Sequence, residues 1–263
     1  MSRLARALGW RAAAPRCYRL ASMAAARSPR RSIAPRERLI VALDVPTADD
    51  ARRLVRTLGD AACFYKIGLE LFCSDGALAL ARELLDAGQR VFLDLKLLDI
   101  PATVGAAVRN VRRCGAHFVT VHASRRVLEA AVAEKGELGV LAVTVLTSSD
   151  AEDLRDLGYP PDVTAEQLVL QRARIALASG CDGVVASPLE ARRIREAVGD
   201  ALAIVTPGIR PEGPAGDDQR RIATPRAAFE AGADYIVVGR PIRQAADPRG
   251  AALAVQETIA SLF

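Results

Sequence analysis

A short motif places two carboxylates and a lysine inside an apolar stretch of the sequence. Asp94, Lys96 and Asp99 form an Asp-x-Lys-x-x-Asp pattern. Side chains two residues apart in a strand share one face, so Asp94 and Lys96 are expected to lie close together. Nearby carboxylates favour the charged form of a lysine, which therefore keeps its proton. The motif predicts a proton donor beside fixed negative charge.

The scarcity of lysine sets two residues of this chain apart. The sequence has 33 arginines but three lysines, Lys66, Lys96 and Lys135. A lysine ammonium can give up a proton, which arginine cannot do at ordinary pH. Lys135 lies in a polar stretch, whereas Lys66 and Lys96 lie inside apolar, strand-like runs. These two are therefore the candidates for proton chemistry.

Three kinds of chemistry could use the residues that we call the charged array, namely Asp44, Lys66, Asp94 and Lys96. A Schiff-base enzyme needs a lysine of lowered pKa, which carboxylates oppose. A metal site needs converging oxygen ligands, and the ammonium group of Lys66 would repel a divalent cation. General acid chemistry fits best. A purely structural ion-pair network is the alternative, although buried charge pairs stabilise poorly compared with apolar packing.

Two arginines near the end of the chain indicate an anion site. Gly239 and Arg240 follow an apolar run and precede a helix start, and Arg210 follows another such run. Backbone N–H groups and guanidinium groups at these positions predict a phosphate site. The stretch 211–224 is long, polar and rich in glycine and proline, so we expect a lid over the phosphate.

Short apolar runs alternate eight times with helical patterns and predict the elements that position these residues. Such strands with helical crossovers indicate a parallel sheet covered by helices. Eight units in about 225 residues predict a single-domain α/β fold, a closed (β/α)8 TIM barrel. An open doubly wound sheet is the runner-up, but no Gly-x-Gly-x-x-Gly follows the first strand. The predicted strands are Leu39–Val45, Cys63–Leu69, Arg90–Lys96, Phe118–His122, Val140–Leu146, Gly183–Ala186, Ala203–Thr206 and Tyr235–Val238, and the helical patterns include Ala48–Leu58, Gly76–Ala87, Val104–Cys114 and Ala165–Ser179.

Polar residues stand at the ends of the predicted strands, where barrels place their active groups. This distribution predicts one site at one end of the barrel. We interpret His122 as a residue that supports the site rather than a catalytic one. The polar residues at strand ends are Asp44, Lys66, Asp94, Lys96, His122, Thr147 and Arg240.

The basic residues are distributed unevenly along the chain. The formal net charge is +5, but residues 1–36 contain nine arginines and no acidic residue. The remainder has 27 basic and 31 acidic side chains, so it lacks the basic footprint of a nucleic-acid-binding domain. We interpret residues 1–36 as an extension and residues 37–263 as the barrel domain. The extension could be an organellar transit peptide; we favour a disordered extension or translated sequence upstream of a start at Met23.

Composition also bears on location and partners. No apolar run approaches the roughly 20 residues that span a bilayer, which argues against a membrane protein. The five cysteines are scattered and form no Cys-x-x-Cys pair. A disulfide framework or a zinc site is therefore not expected, and a reducing compartment, the cytoplasm, is predicted.

The ordered set of motifs resembles the bacterial type of the orotidine 5′-phosphate decarboxylase family. The similarity runs from about Leu39 to Phe263. The Asp-x-Lys-x-x-Asp motif alone is shared with a wider superfamily, whereas the whole set is specific. The other matching segments are Leu43-Asp44, Tyr65-Lys66-Ile67-Gly68, Ile100-Pro101-Ala102-Thr103, Val143-Thr144-Val145-Leu146-Thr147-Ser148, Thr206-Pro207-Gly208-Ile209-Arg210, Asp218-Gln219-Arg220 and Val238-Gly239-Arg240.

The resemblance implies decarboxylation of orotidine 5′-monophosphate to uridine 5′-monophosphate, the last step of de novo UMP synthesis, without a metal or an organic cofactor. Lys96 would protonate C6 of the pyrimidine as carbon dioxide leaves. Asp94 would lie against the departing carboxylate, with Lys66 and Asp99 completing the surrounding charges. Asp99 and Thr103 would reach into the site of a partner subunit, which implies a homodimer with shared active sites.

The resemblance also implies the substrate contacts. Asp44 and Lys66 would contact the ribose hydroxyls, and Thr147 the base. Gln219 would touch both the base and the phosphate. The residues that would hold the phosphate are Arg210, Gln219, Gly239 and Arg240.

Two other functions compete with this interpretation. A phosphosugar enzyme of the same superfamily, such as a keto-gulonate-phosphate decarboxylase or a hexulose-phosphate synthase, would depend on a metal and carry an acidic residue in place of Lys66. A barrel that only binds a ligand would have lost part of the charged array, and no part is missing.

Overall fold

The computed structural model describes residues 33–211 and 222–263. Within these ranges eight parallel strands form a closed barrel in sequential order, and β8 pairs with β1. The predicted TIM barrel is confirmed. The strands are β1 Leu39–Ala42, β2 Phe64–Gly68, β3 Arg90–Leu97, β4 Phe118–His122, β5 Gly139–Val143, β6 Gly183–Val185, β7 Ala203–Thr206 and β8 Tyr235–Val238.

Helices follow the strands and cover the outside of the barrel. Three short 3₁₀ segments, Pro35–Glu37, Gly59–Ala61 and Gly199–Ala201, precede strands. The α-helices of the described ranges are α1 Ala48–Leu58, α2 Leu69–Phe72, α3 Ala77–Asp86, α4 Pro101–Cys114, α5 Arg125–Glu134, α6 Ala151–Asp156, α7 Ala165–Ser179, α8 Pro188–Val198, α9 Pro225–Glu230, α10 Arg240–Arg243 and α11 Pro248–Ala260.

Both faces of the strands are buried, which explains their nearly continuous apolar sequences. Along β1, Ile40 and Ala42 face a cluster inside the barrel, while Leu39 and Val41 belong to the larger cluster beneath the helices. Aromatic side chains fill the interior, and the rings of Phe64 and Tyr235 meet edge to face at 6.0 Å. The barrel is therefore packed along its axis, and a ligand can enter at its mouth only.

Local sequence signals determine both ends of helix α4, which follows the Asp-x-Lys-x-x-Asp motif. Pro101 occupies the first turn of α4, where its missing N–H costs nothing. Gly115 ends the helix at φ 88°, a left-handed conformation that glycine adopts readily. The helix begins at Pro101, three residues before the predicted pattern Val104–Cys114, and this start places Asp99 in the short connection after β3.

Strand β3 departs from regular geometry where the Asp-x-Lys-x-x-Asp motif lies. Leu93 pairs with Val119 and Leu97 pairs with Val121, so four residue steps of β3 face two of β4. Lys96 has φ 49° and is the one non-glycine residue of positive φ in the described part of the chain. Asp94 and Lys96 still face the cavity while Leu93, Leu95 and Leu97 pack in the outer cluster, so the predicted sharing of faces is confirmed and only the backbone path differs from a regular strand.

The remaining differences are small. The predicted first and fifth strands run on to Val45 and Leu146, whereas β1 ends at Ala42 and β5 ends at Val143. The sequence did not predict the short helices α2 and α6. No helix of the described ranges combines the length and apolar character needed to cross a membrane.

Candidate active site

A cavity of about 610 Å³ opens at the carboxyl ends of the strands. It brings together most of the residues singled out from the sequence, which come from six different strands or from the segments that directly follow them. The predicted site residues that line it are Asp44, Lys66, Asp94, Lys96, Thr147, Arg210, Gly239 and Arg240.

The charged array lies on one side of this cavity. Lys66 Nζ donates to Asp44 Oδ1 at 2.8 Å and lies 3.5 Å from Asp94 Oδ2. Lys96 Nζ donates to the same Asp94 oxygen at 2.9 Å. The side chain of Lys66 is 10% exposed and that of Lys96 is 30% exposed. Lys96 is therefore the ammonium group more open to a ligand.

Asp94 is the central charge of the array. Burial raises the pKa of its carboxyl, but the Lys66 and Lys96 ammonium groups and hydrogen bonds from Lys96 and Thr120 outweigh burial, and the pKa lies below its ordinary value. Asp94 therefore remains ionised. Its charge can attract the Lys96 ammonium group and repel a second carboxylate in the cavity.

Gly68 leaves space for the pair between Lys66 and Asp44. A Cβ at this position would lie 2.7 Å from Lys66 Nζ and 2.9 Å from Asp44 Oδ1. The backbone of Gly68, at φ −90°, is open to other residues. Glycine is required here because a Cβ would not fit, and not because of the backbone conformation.

Two arginines also line the cavity. Arg210 follows β7, and Arg240 begins α10 directly after Gly239. Arg210 N–H donates to the carbonyl of Ala223 at 2.9 Å, and Ile209 forms an isolated bridge with Ala223. The two ends of the predicted lid thus meet at the cavity. Gln219 and the rest of residues 212–221 lie outside the described residues, so the lid and the role of Gln219 stay predictions.

Three polar residues of the cavity were missed from the sequence. Glu70 lies in α2, Ser148 follows Thr147, and Arg243 lies one helical turn beyond Arg240. The buried Nε of Arg243 finds no hydrogen-bond acceptor among the described residues. The Arg-x-x-Arg spacing at a helix start was the signal that could have found it.

Thr120 of β4 was missed as well. It is fully buried and hydrogen-bonded to both the backbone of Lys96 and the carboxylate of Asp94. A threonine inside an otherwise apolar strand was the available signal. Its partners depend on the irregular path of β3, which the sequence does not indicate.

Asp99 and Thr103 do not join the cavity of this chain. Both are exposed, and Asp99 Oδ1 accepts the backbone N–H of Ile100 at 2.6 Å. The neighbouring side chains Leu98 and Ile100 are each 65% exposed. A role for Asp99 and Thr103 in this site would therefore require a second copy of the chain.

His122 ends β4 beside the array without lining the cavity. Burial lowers the pKa of its imidazole, and the positive charges of Arg172 and Lys96 lower it further. His122 is thus neutral near pH 7, and its supporting role stays a prediction. Within residues 33–211 and 222–263, no group of three or more His, Cys, Asp and Glu side chains is arranged to hold a metal ion.

The fold and this cavity define a TIM-barrel protein of the enzyme type, with its ionisable groups at the carboxyl ends of the strands. Residues 37–255 match the model of the "Orotidine 5′-phosphate decarboxylase / HUMPS family". The chain belongs to this family, and the resemblance seen in the sequence motifs is confirmed.

Curated and solved relatives agree with this assignment. The chain is 54% identical over 228 residues to the orotidine 5′-phosphate decarboxylase of Methylococcus capsulatus, covering 86% of this chain and 93% of that one. It is 53% identical to the enzyme of the same name from Afipia carboxidovorans, with 86% and 96% covered. The crystal structure of orotidine 5′-phosphate decarboxylase from Lactobacillus acidophilus superimposes with a TM-score of 0.76 at 36% identity, over 85% of this chain and 99% of that one.

Proposed function

We propose that this chain converts orotidine 5′-monophosphate to uridine 5′-monophosphate and that Lys96 supplies the proton that replaces the carboxylate at C6. Decarboxylation itself follows from membership of the family and from curated relatives of that name at 52–54% identity. The observation that carries the role of Lys96 is its partly exposed ammonium group, held 2.9 Å from Asp94 at the cavity wall.

The reaction balances with these residues alone. The bond between C6 and the carboxylate breaks, carbon dioxide leaves, and the electron pair stays on C6. Lys96 Nζ gives its proton to C6 and later regains one from water. Asp94 stays ionised and faces the substrate carboxylate, so that part of the rate can come from repulsion in the ground state. We expect Lys96 to contribute more, because its charge interacts most strongly as negative charge develops on C6.

The rest of the cavity binds the nucleotide in this proposal. Asp44 and Lys66 bind the ribose hydroxyls and Thr147 binds the base. The phosphate is held by Arg210, Gly239 and Arg240, with Gln219 from the lid. Binding energy gained there can be directed to the reacting centre as the lid closes.

The same proposal includes a homodimer. It is supported by Asp99 and Thr103, which point away from this chain's own cavity, and by Leu98 and Ile100, which expose apolar surface around them. Lys96→Ala and Asp99→Ala, each poorly active, should regain activity when their subunits are mixed, because every hybrid dimer contains one site with both native residues. Mixtures that stay inactive would show that each site uses residues of one chain.

A metal-dependent phosphosugar enzyme is the second candidate, since the matching family includes more than one activity. The Lys66 ammonium group between Asp44 and Asp94 opposes it, because it occupies the place where a divalent cation would need oxygen ligands. The test follows the absorbance of orotidine 5′-monophosphate in the presence of a chelator, with Lys96→Ala as the inactive control. Continued turnover supports the proposal, and activity that requires added magnesium supports the alternative.

A further inference from the structure

The junction between β3 and β4 contains a hydrogen-bonded threonine with no assigned role. Thr120 stands in the middle of β4 and its side chain is fully buried. It does not line the cavity, so it cannot touch the substrate. Its two hydrogen bonds nevertheless reach the two central residues of the charged array.

The first hydrogen bond repairs an interruption in the strand pairing. Between the Leu93–Val119 and Leu97–Val121 pairs, β3 has two more residues than β4 can match. Lys96 lies in this excess segment. Its φ of 49° is a backbone conformation that residues other than glycine rarely adopt. The N–H of Lys96 donates to Thr120 Oγ1 at 2.9 Å. The hydroxyl oxygen thus takes the place of a strand carbonyl.

The second hydrogen bond orients Asp94. A threonine hydroxyl has one proton, and Thr120 donates it to Asp94 Oδ1 at 2.9 Å. This leaves Asp94 Oδ2 for the Lys96 ammonium group at 2.9 Å and that of Lys66 at 3.5 Å. One hydroxyl therefore fixes the backbone of Lys96 and the rotation of the carboxylate that holds the Lys96 side chain.

We propose that Thr120 is a positioning residue of the decarboxylation: its hydroxyl holds the irregular segment of β3 so that Lys96 Nζ is aimed at C6 of the substrate. This inference rests on the proposed function and adds to it a residue outside the cavity. Without the hydroxyl, Lys96 N–H and Asp94 Oδ1 both lose a buried partner, and the segment can relax toward regular pairing. A shift of the reacting groups by about 1 Å costs on the order of 100-fold in rate.

The test compares Thr120→Val, which keeps the shape but removes the hydroxyl, with Thr120→Ser, which keeps the hydroxyl. We expect kcat to fall about 100-fold in the valine variant and to stay within a few-fold of the wild type in the serine variant. The affinity for uridine 5′-monophosphate should be retained in both variants, because the proposed phosphate-binding residues Arg210 and Arg240 are unchanged. The acidic limb of the kcat profile should move to higher pH in the valine variant, since the pKa of Asp94 loses a hydrogen bond that lowers it.

Thr144→Val is the matched control. Thr144 is equally buried and donates to the carbonyl of Val185 at 2.9 Å, without contacting the charged array. It should lose stability but keep kcat. Should Thr120→Val fail to fold, Thr120→Ala removes the same hydroxyl without adding volume, and binding of uridine 5′-monophosphate identifies folded protein.

The outcomes separate this inference from the proposed function. Turnover by the wild type tests the proposed function alone, whereas the ratio between the valine and serine variants tests Thr120. The inference is overturned by near-normal kcat without the hydroxyl, by equal losses in the serine and valine variants, or by an equal loss in Thr144→Val. A large loss confined to the variants without the Thr120 hydroxyl supports it.

Discussion

Both ends of the barrel contain buried charge, but they are built differently. At the base, where the strands begin, Asp234 is fully buried and its Oδ2 lies 2.6 Å from Arg195 Nη2. The same oxygen accepts the N–H of Ile204 at 2.8 Å, and Arg195 also donates to the carbonyls of Gly199 and Leu202. These bonds tie together the starts of β7 and β8 and the connection before β7.

At the mouth, the charges contact mainly one another. Asp94 faces two ammonium groups, Lys96 remains partly open to the cavity, and its backbone is strained. Strain and clustered charge cost free energy and persist where surrounding structure enforces them. Buried charge at the base therefore stabilises the closed fold, whereas the charge at the mouth is positioned to interact with a ligand. Substitutions at the two ends should therefore separate activity from stability.

The largest effect is expected from Lys96→Ala at the mouth. Product formation should fall by several orders of magnitude, at or beyond the ~10²–10⁴-fold typical of general acid catalysis, because the variant lacks the group that we propose protonates C6. Binding of uridine 5′-monophosphate should be retained. Lys135→Ala is the matched control, since Lys135 pairs with Asp182 at 2.6 Å outside the cavity. Near-normal turnover in Lys96→Ala would refute the proton-donor assignment.

Asp234→Asn at the base should lower stability rather than activity. The substitution removes the fully buried counter-charge of Arg195 and leaves it only the more exposed carboxylate of Asp200 at 3.3 Å, so we expect a loss of up to about 5 kcal/mol of unfolding free energy. Denaturant unfolding measures this loss, and kcat of the folded fraction should be unchanged. A large loss of kcat with normal stability would contradict the division between the two ends.

Arg240→Ala removes a positive charge from the wall of the cavity. We expect it to weaken the binding of uridine 5′-monophosphate by about 1.5–3 kcal/mol, the range for a hydrogen bond to a charged group. The binding of uridine should be nearly unaffected. Calorimetric titration of nucleotide and nucleoside gives the two values. Equal losses for both ligands would show that Arg240 does not bind the phosphate.

Gly68→Ala tests whether space at the mouth serves function. The added Cβ would displace Lys66 Nζ from Asp44, so kcat/KM should fall by roughly 10-fold to 100-fold, in line with misplaced reacting groups. The control is Gly183→Ala at the base, where a Cβ would lie 2.5 Å from the carbonyl of Ala203. That variant should lose about 1–3 kcal/mol of stability and keep its activity. Similar activity losses in the two variants would remove the distinction.

Most of the architecture could be predicted because apolar strands and helical periodicity are local properties of the sequence. Strand ends were less predictable: β1 ends at Ala42, although Leu43 and Val45 are buried and Leu43 N–H still donates to the carbonyl of Lys66 at 2.9 Å. The four-residue helix α2 is too short to show a helical period. At the end of β1, the burial of the side chains was predicted correctly, but the last residue of the strand was not.

The site was predictable where it depends on residue type at a strand end, as for Asp44, Lys66 and Arg240. The left-handed backbone of Lys96 could not be predicted, because lysine has no preference for it and the cause is the mismatch with β4. The role of Thr120 depends on that mismatch and was missed with it. Asp99 stays a prediction because its partners would belong to another chain.

The two histidines of the chain provide the smallest test of the comparison, since they flank β4 at opposite ends. His117 precedes β4 at the base and His122 ends it at the mouth. Burial lowers the pKa of both, with a further contribution from Arg90 at His117 and from Arg172 and Lys96 at His122. The folded protein therefore resists protonation that the unfolded chain accepts, so the unfolding free energy should fall as pH drops below about 6.5.

Each histidine can contribute at most about 1.4 kcal/mol per pH unit to this slope, and His117→Asn and His122→Asn should each flatten it. Lys96→Ala distinguishes the two ends. Removing that charge should raise the pKa of His122 toward its ordinary value and leave the pKa of His117 unchanged, because Lys96 acts on His122 alone of the two. An NMR titration of the imidazole protons measures both values, with the asparagine variants assigning the signals. Equal movement of the two pKa values, or none at His122, would show that the charge of Lys96 is not confined to the mouth in the way the structure indicates.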